Sequence, residues 1–443
     1  MRELGGMTME VDVAIVGGGM GGLALAVGLQ ERGIKAHVFE KSPKERKHFG
    51  TGISIGQNGI QALEGIKPGL SQKMESEGQR TRQFTARIRV QGEPEKVFTQ
   101  LPQLTESEVM FTVAWKGALE TLADELDPSV VHYRHSFVDY KLVEEGVESR
   151  FEVRIEQDSD ACTVETNVVK AKLLVGADGV WSGVRKLVVG DEPRDLCLVT
   201  WLSVVRTERI RSLNLNDDDE IRFIVYPATK TGVITCSCGP EYTHWQYRVP
   251  DESRELMKSF TSDFNAHGKE ARKMRILKQL EGVEELQNLK TAVERSESHL
   301  VREDRNFDRL PVSSWSDSSG HVVLLGDAAH AFYPGPGMGA RIAFEDAHQL
   351  SLLLHEAFSS STPETTLPDA VKRFEEVRIP RCTKLQRFAA ELTSWPSYIP
   401  ESVQKLSPGE KAQRTKEFYR WLNKYPKDMV GDPDSTYWKP EQV

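Results

Sequence analysis

The stretch that most constrains this chain lies near its amino terminus, between Val11 and Ala26. The apolar run Val11-Asp12-Val13-Ala14-Ile15-Val16 ends in glycines and opens directly into helix-forming sequence from Met20. Such a run predicts a strand, a tight turn and a helix. Gly17, Gly19 and Gly22 stand at the G-x-G-x-x-G spacing. In that pattern the first glycine allows the turn, the second lets a pyrophosphate approach the backbone, and the third lets the helix pack close to the strand. The helix N-terminus then offers free N–H groups and partial positive charge to phosphates. A second strand, Ala36-His37-Val38-Phe39, ends at Glu40, about 20 residues past the first glycine, where a ribose-binding acid belongs. A lone glycine fingerprint is weak, but strand, helix, second strand and terminal acid together make a dinucleotide-binding unit.

Composition narrows the rest. A chain of 443 residues accommodates two or three domains or one large composite one. A net charge of −9 without a basic stripe argues against nucleic acid as a partner. No apolar run reaches membrane-spanning length, and the first ten residues are too short and polar for a signal peptide. The five cysteines (Cys162, Cys197, Cys236, Cys238 and Cys382) have no framework spacing. They read as buried thiols in a reducing, cytoplasmic setting, and no metal site is expected.

Two later units repeat the strand–acid–glycine theme. Ala171 to Val175 leads into Gly176-Ala177-Asp178-Gly179, with Asp178 at a strand end where ligands of α/β sheets gather or where a helix needs a cap. His321 to Leu325 leads into Gly326-Asp327-Ala328-Ala329-His330, and Gly335-Pro336-Gly337-Met338-Gly339 precedes a long apolar-periodic helix. A helix start reached through Gly337 and Gly339 can aim backbone donors at an electron-rich ring. Between the units, Gly50-Thr51-Gly52-Ile53-Ser54 suggests a backbone passing close to something flat, or an ordinary turn. Short strands are expected within residues 84–112 and over 130–133, 137–143, 151–156 and 161–166. Lys116 opens a helix, where it opposes the macrodipole and is either a solvated lysine or a phosphate or sugar contact. Residues 197–249 read as an antiparallel sheet, 251–291 as mainly helical, and Asp369 to Thr393 and the stretch up to Lys424 as helices. Trp421, Tyr425, Tyr437 and Trp438 offer aromatic docking points in the tail.

The glycine fingerprint ending at Glu40, Gly-Ala-Asp-Gly at 176–179 and Gly-Asp-Ala-Ala-His at 326–330, in this order, resemble the single-component FAD-dependent aromatic monooxygenases, the p-hydroxybenzoate and salicylate hydroxylase-like family, over roughly residues 11–390. The resemblance implies an α/β fold: a Rossmann-type FAD-binding domain (8–83, 109–196 and 298–358), an interleaved antiparallel β-sheet substrate domain (84–108 and 197–297) and a C-terminal helical region (359–443). It implies that Gly17, Gly19 and Gly22 hold the FAD pyrophosphate, Glu40 the adenosine ribose and Asp327 the ribityl chain. Gly52 would line the flavin, and Gly337, Met338, Gly339 and Ala340 would set backbone N–H groups near the ring. Asp178 would serve both FAD and the pyridine nucleotide.

Two positions depart from the family. Lys116 stands where similar enzymes usually carry arginine, keeping the charge but losing the fork. Arg341 follows a segment that in many relatives reads Gly-Gln-Gly, then Ala or Gly and a polar residue. The implied activity uses NAD(P)H and O2 to hydroxylate an aromatic or conjugated small molecule through a flavin hydroperoxide, in a monomer or homodimer. Alternatives are an epoxidase of polyene or terpenoid alkenes, a flavin oxidoreductase without oxygen insertion, and a non-catalytic nucleotide-binding carrier. Arg206 and Tyr226, near strand ends, are the catalytic candidates, set against a surface arginine and a packing tyrosine. His330 reads as a structural, hydrogen-bonded histidine. Trp201, Trp245 and Tyr247 either line the cavity or form plain core.

Overall fold

The structure is a computed structural model and describes residues 8–45, 50–90, 92–100, 109–144, 146–156, 162–254, 256, 268–335, 337–359, 366–392, 399 and 401–425. Strand Thr8–Val16 sits inside a seven-stranded sheet. It pairs in parallel with Ala36–Glu40 on one side and with Cys162–Gly176 on the other. Val131–Tyr133 extends the first side, and Val322–Leu324 runs parallel to the end of Cys162–Gly176. Val13, Ala14 and Ile15 are all fully buried, as the uninterrupted apolar run requires of a strand covered on both faces. Helix Met20–Glu31 covers it, packed in turn on helix Gly339–Ser359.

The register decides where the motifs meet. Val16 lies opposite Phe39 and Gly176, and Gly176 lies opposite Leu324. The neighbouring parallel strands therefore end level. The glycine turn, Glu40, Asp178 and Asp327 all leave from the same sheet edge, the edge at which ligands of open α/β sheets collect. Cys162–Gly176 is one strand of 15 residues where the sequence suggested two. Its early residues pair antiparallel with Gly146–Glu156 and its later ones parallel with Thr8–Val16, and no breaker stands between.

A second seven-stranded sheet runs in the order Arg302–Asp308, Arg194–Arg206, Tyr242–Pro250, Thr231–Ser237, Glu220–Tyr226, Gln83–Ile88, Lys96–Gln100. Strand Arg302–Asp308 corrects the sequence assignment, which gave 298–358 to the FAD-binding segment. It forms the edge of this second sheet, tied to Arg194–Arg206 by the Arg194–Asp308 and Arg305–Asp195 ion pairs. Phe111–Ala114 leaves the neighbouring strands to pair with Gly52–Ile55 and Gln79–Arg80 in a small sheet. Within 251–291 the described residues include helix Gly268–Gln279 and the start of helix Gln287–Arg295.

Helices Leu367–Glu391 and Pro408–Leu422 each begin with a capping box, Thr366 with Asp369 and Ser407 with Glu410. The second helix is docked by buried Trp421 and by Tyr425, whose hydroxyl contacts His348 Nδ1 at 2.8 Å and accepts from Gln349 Nε2 at 2.9 Å. Tyr437 and Trp438 lie outside the described residues. Among those residues no helix is long and apolar enough to cross a membrane.

Candidate active site

Gly17 adopts φ +105°, and a Cβ there would lie 2.4 Å from the Ala177 carbonyl oxygen, so only glycine fits between the first two loops. A Cβ on Gly22 would lie 2.0 Å from the Gly17 oxygen, which forces glycine where helix and turn touch. A Cβ on Gly19 would meet nothing within 4 Å, because its backbone faces open space. That is the cradle a pyrophosphate needs, with the N-terminus of helix Met20–Glu31 beside it. Glu40 is buried and accepts from the Gly18 N–H at 2.7 Å and the Ser42 N–H at 2.8 Å, which fixes the carboxylate at the turn.

Two cavities meet at this loop. Gly19 lines one of about 880 Å³, and Gly18 lines another of about 550 Å³ whose walls include Lys116, Lys44 and Tyr133. Lys116 reaches Glu120 at 3.7 Å along its helix. The larger cavity carries Gly52, Asp327, Gly337, Met338, Gly339 and Ala340 on its walls. A Cβ on Gly339 would stand 3.9 Å from Asp327 Oδ1, so the second acidic loop and the start of the long helix converge. The Asp327 side chain opens onto the cavity while protein encloses its other sides. Burial raises its carboxyl above the usual range, His330 opposes this and Asp346 adds to it. Asp178 does not line either cavity; its neighbours Ala177 and Gly179 line the larger one. Its carboxylate accepts from Ser182 Oγ and from the Gly183 N–H at 2.7 Å, capping helix Gly183–Val188, and burial raises it despite these donors.

The second sheet closes the larger cavity with one face. Along strand Tyr242–Pro250, His244, Gln246 and Arg248 line it; along Thr231–Ser237, Ile234 and Cys236 do. The intervening residues Trp245, Tyr247 and Val233 join Trp201 and Tyr226 in a separate core on the opposite face. Trp201, Trp245 and Tyr247 are therefore core, as the period-2 alternation of a strand dictates. Arg248 is buried, donates to the Tyr333 hydroxyl at 3.2 Å and is embraced by the Gln246 side-chain oxygen. His244 Nδ1 lies 3.1 Å from the Ser203 carbonyl, which can only accept, so this nitrogen carries the proton. Nε2, facing Thr51 Oγ1 at 3.5 Å, is left as an acceptor, and burial holds the ring down to about 4, hence neutral. Burial also pushes the Cys236 thiol up to about 12.

The two catalytic candidates from the sequence are not brought here. Arg206 projects outward and pairs with Glu241 at 3.1 Å, with half of its side chain exposed. Tyr226 packs in the core behind the sheet, where burial pushes its hydroxyl up to about 12. Neither lines either of these two cavities. Conversely, His244, Arg248 and Arg82 were not singled out, because a strand's facing cannot be assigned until its register is known. The charge of the cavity is also unlike that of the whole chain. Its described lining holds six cationic side chains (Arg82, Arg248, Arg341, Lys416, Arg420 and Lys424) and a single carboxylate, Asp327, on a chain of net charge −9.

Below the glycine loop, helix Gly339–Ser359 meets helix Leu367–Glu391 through a buried ionic cluster. Glu345 accepts from Asn58 Nδ2 (2.8 Å), Arg378 Nη1 (2.7 Å), Arg381 Nε (2.6 Å) and Arg381 Nη2 (2.7 Å). Asp346 takes Arg378 Nε at 2.7 Å and His330 Nε2 at 2.6 Å. Burial alone would raise Asp346, but His330 and Arg378 bring it down to about 2. Burial alone would lower His330, but Cys382 and the Asp346 carboxylate raise it well above its ordinary value. His330 is thus tied into the protein's frame, as read from the sequence.

Comparison with known proteins agrees with this architecture. A family described as FAD binding domain matches residues 10–389. The chain is 25% identical to 3-hydroxybenzoate 6-hydroxylase 1 of Aquipseudomonas alcaligenes, over 94% of this chain and 97% of that protein. It is 28% identical to a 3-amino-4-hydroxybenzoate 2-monooxygenase of Streptomyces platensis, over 86% and 87%. The fold is shared with Klebsiella pneumoniae HpxO complexed with FAD and uric acid, at TM-score 0.65, 20% identity and coverage of 94% and 93%.

Proposed function

Since the chain belongs to the FAD-binding-domain family, as a single-component flavoprotein monooxygenase, we propose that it uses NAD(P)H and O2 to hydroxylate an aromatic or conjugated small molecule in the cavity under the second sheet. The observation that carries this reading is the level ending of the parallel strands, which delivers three loops distant in sequence to one cavity roofed by a sheet. Bound FAD supplies the hydride acceptor and the oxygen-activating ring.

The chain's own residues supply the rest. Gly17, Gly19 and Gly22 with the following helix would hold the pyrophosphate, Glu40 and Lys116 the nucleoside side, and Asp327 the sugar-alcohol chain. Gly52 and the backbone from Gly337 to Ala340 would face the ring. The turn-capping bonds of Asp178 support a structural share in that loop. The positions of Arg206 and Tyr226 support no contact with substrate, and we assign polar contacts to the roof instead. Arg248, fixed by Gln246 and Tyr333, can hold a substrate oxygen. His244 Nε2, unprotonated, can accept a hydrogen bond from a substrate hydroxyl. Apolar walls such as Phe84, Ile221, Ile234 and Phe332 keep water from the reacting atoms.

The purified protein is expected to be yellow, to bleach with NADPH, and to oxidise NADPH faster with a phenolic substrate, giving a product heavier by one oxygen atom. Stoichiometric hydrogen peroxide with every substrate of a panel of phenols, indoles and polyenes would overturn oxygen insertion. Epoxide products would move the reading to the alkene branch.

A further inference from the structure

Helix Pro408–Leu422 begins past residue 389, where the match to the FAD-binding family ends. One stripe of it, Phe418, Trp421 and Leu422, is buried; Phe418 stacks on Phe388 at 3.7 Å between ring centres, and Arg381 lies over Trp421 at 4.6 Å. The adjoining stripe, Lys416, Tyr419 and Arg420, continued by Asn423 and Lys424, lines the larger cavity. Steps of three and four residues put these on one face, and the anchored stripe holds that face in place. Lys416, Arg420 and Lys424 are exposed, so they stand at the cavity mouth. Among the described residues neither Lys416 nor Arg420 has a carboxylate partner. On the same helix Arg414 pairs with Glu391 at 2.7 Å, and Glu417 accepts from Gln413 at 2.7 Å. Deeper in the same wall Arg341 is 4% exposed, and its Nε has no hydrogen-bond partner among the described residues. Asn423 Oδ1 is likewise buried and unpartnered among those residues. Both border Gly56, where a Cβ would lie 2.4 Å from Arg341 Nη1 and 3.7 Å from Asn423 Oδ1. A cationic donor and a neutral acceptor, both open on one wall, suit a ligand that brings anionic oxygens and hydroxyl donors together, as a sugar phosphate does.

We propose that this wall docks the pyridine nucleotide: Arg341 takes the pyrophosphate, Asn423 Oδ1 accepts from a ribose hydroxyl, and Lys416 and Arg420 hold the 2′-phosphate that NADPH carries and NADH lacks. The chain is therefore selective for NADPH. The proposal rests on the monooxygenase reading, which needs a hydride donor, and adds where that donor binds and which one it is. The G-x-G-x-x-G fingerprint occurs once in the chain and goes to FAD, so a second dinucleotide needs another anion site. The order along the wall fits. With the nicotinamide inside the cavity, the pyrophosphate falls to the buried cation and the adenosine end to the exposed mouth. A phosphate monoester carries roughly −1.5 to −2 of charge. On a chain of net charge −9, a cationic mouth draws in such an anion that the rest of the surface repels.

The test is a titration of the FAD-loaded protein with NADP+ and with NAD+, which bind without reducing the flavin, followed by the flavin spectrum and by tryptophan fluorescence. Wild type is expected to bind NADP+ about tenfold or more tightly than NAD+, and the preference should shrink as salt rises, because the mouth charges are exposed and screened. Lys416→Ala and Arg420→Ala should each weaken NADP+ about threefold, and the double variant about tenfold, with NAD+ shifted by less than about twofold. Arg341→Gln and Asn423→Leu should weaken both nucleotides alike and leave their ratio unchanged. Equal affinity of wild type for the two nucleotides, no binding of either, or a preference kept in the double variant would each overturn the dock. Weaker benzoate with unchanged NADP+ in the double variant would give the mouth to the substrate and overturn it too. The mouth variants change exposed side chains, so they decide the matter even where Arg341→Gln fails to hold FAD. Because no turnover is read, a failure to hydroxylate sinks the proposed function and leaves this result standing.

Discussion

Two consecutive turns of one helix treat buried charge in opposite ways. At Glu345 a carboxylate sits among three donor side chains, and every one of its lone-pair directions is used. At Arg341, one turn earlier, a buried cation has an Nε without a partner among the described residues. The first arrangement closes on itself and belongs to the frame, joining the Gly339–Ser359 and Leu367–Glu391 helices to Asn58. The second leaves Nε without a hydrogen-bond partner among the described residues. Buried charges on this helix therefore differ in how far the described protein groups satisfy them.

The comparison breaks most easily at Glu345. Glu345→Ala leaves Arg378 and Arg381 short of a buried counter-charge and should cost about 3–5 kcal/mol of stability, read by urea unfolding. A cost below 1 kcal/mol would deny the cluster its structural role.

The His330–Asp346 pair gives the next effect, through pH. His330 is raised in the folded protein, so its contribution is full below the unfolded histidine value and fades as pH rises through the folded one. Asp346 is depressed to about 2, so its contribution is full above the unfolded carboxylate value and fades as pH falls through about 2. The pair should stabilise most between about pH 4 and 6.5. His330→Asn should flatten the alkaline side of that profile and cost about 1.5–3 kcal/mol near pH 6. Unfolding midpoints across pH would check it.

Arg341→Met sharpens the contrast. In ligand-free protein it should leave stability unchanged or raise it by about 1 kcal/mol, because an uncompensated buried cation is removed. A loss as large as that of Glu345→Ala would place Arg341 in the frame. The smallest effect is expected at Arg206, whose surface pair with Glu241 is screened by water. Arg206→Ala should stay within about 0.5 kcal/mol in stability and about twofold in turnover.

Much of the site was legible in the chain because glycine and acid signals are local. Gly17 and Gly22 announce themselves through sterics that nothing else satisfies, and Glu40 and Asp327 end apolar runs whose strand character is plain. The roof was not legible. His244 and Trp245 are adjacent in a strand, both suited to a pocket, and only pairing tells which faces it: Cys236 opposite His244 puts those two on the cavity side and leaves Trp245 to the outer core. Tyr226 was misjudged for the same reason. Strand Arg302–Asp308 could not be assigned to its sheet, since its highly charged sequence has no apolar face and its place depends on partners a hundred residues away.

The amino-acid sequence by itself determined the nucleotide-binding strand–turn–helix, the order of its three loops and the family they mark, because backbone freedom and apolar periodicity are properties of neighbours along the chain. Which side chains share the cavity, and that Arg341 Nε lacks a partner among the described residues while Glu345 is saturated, only the tertiary structure decided. Strand register and helix packing set those relations, and both are fixed by contacts between residues far apart in the chain.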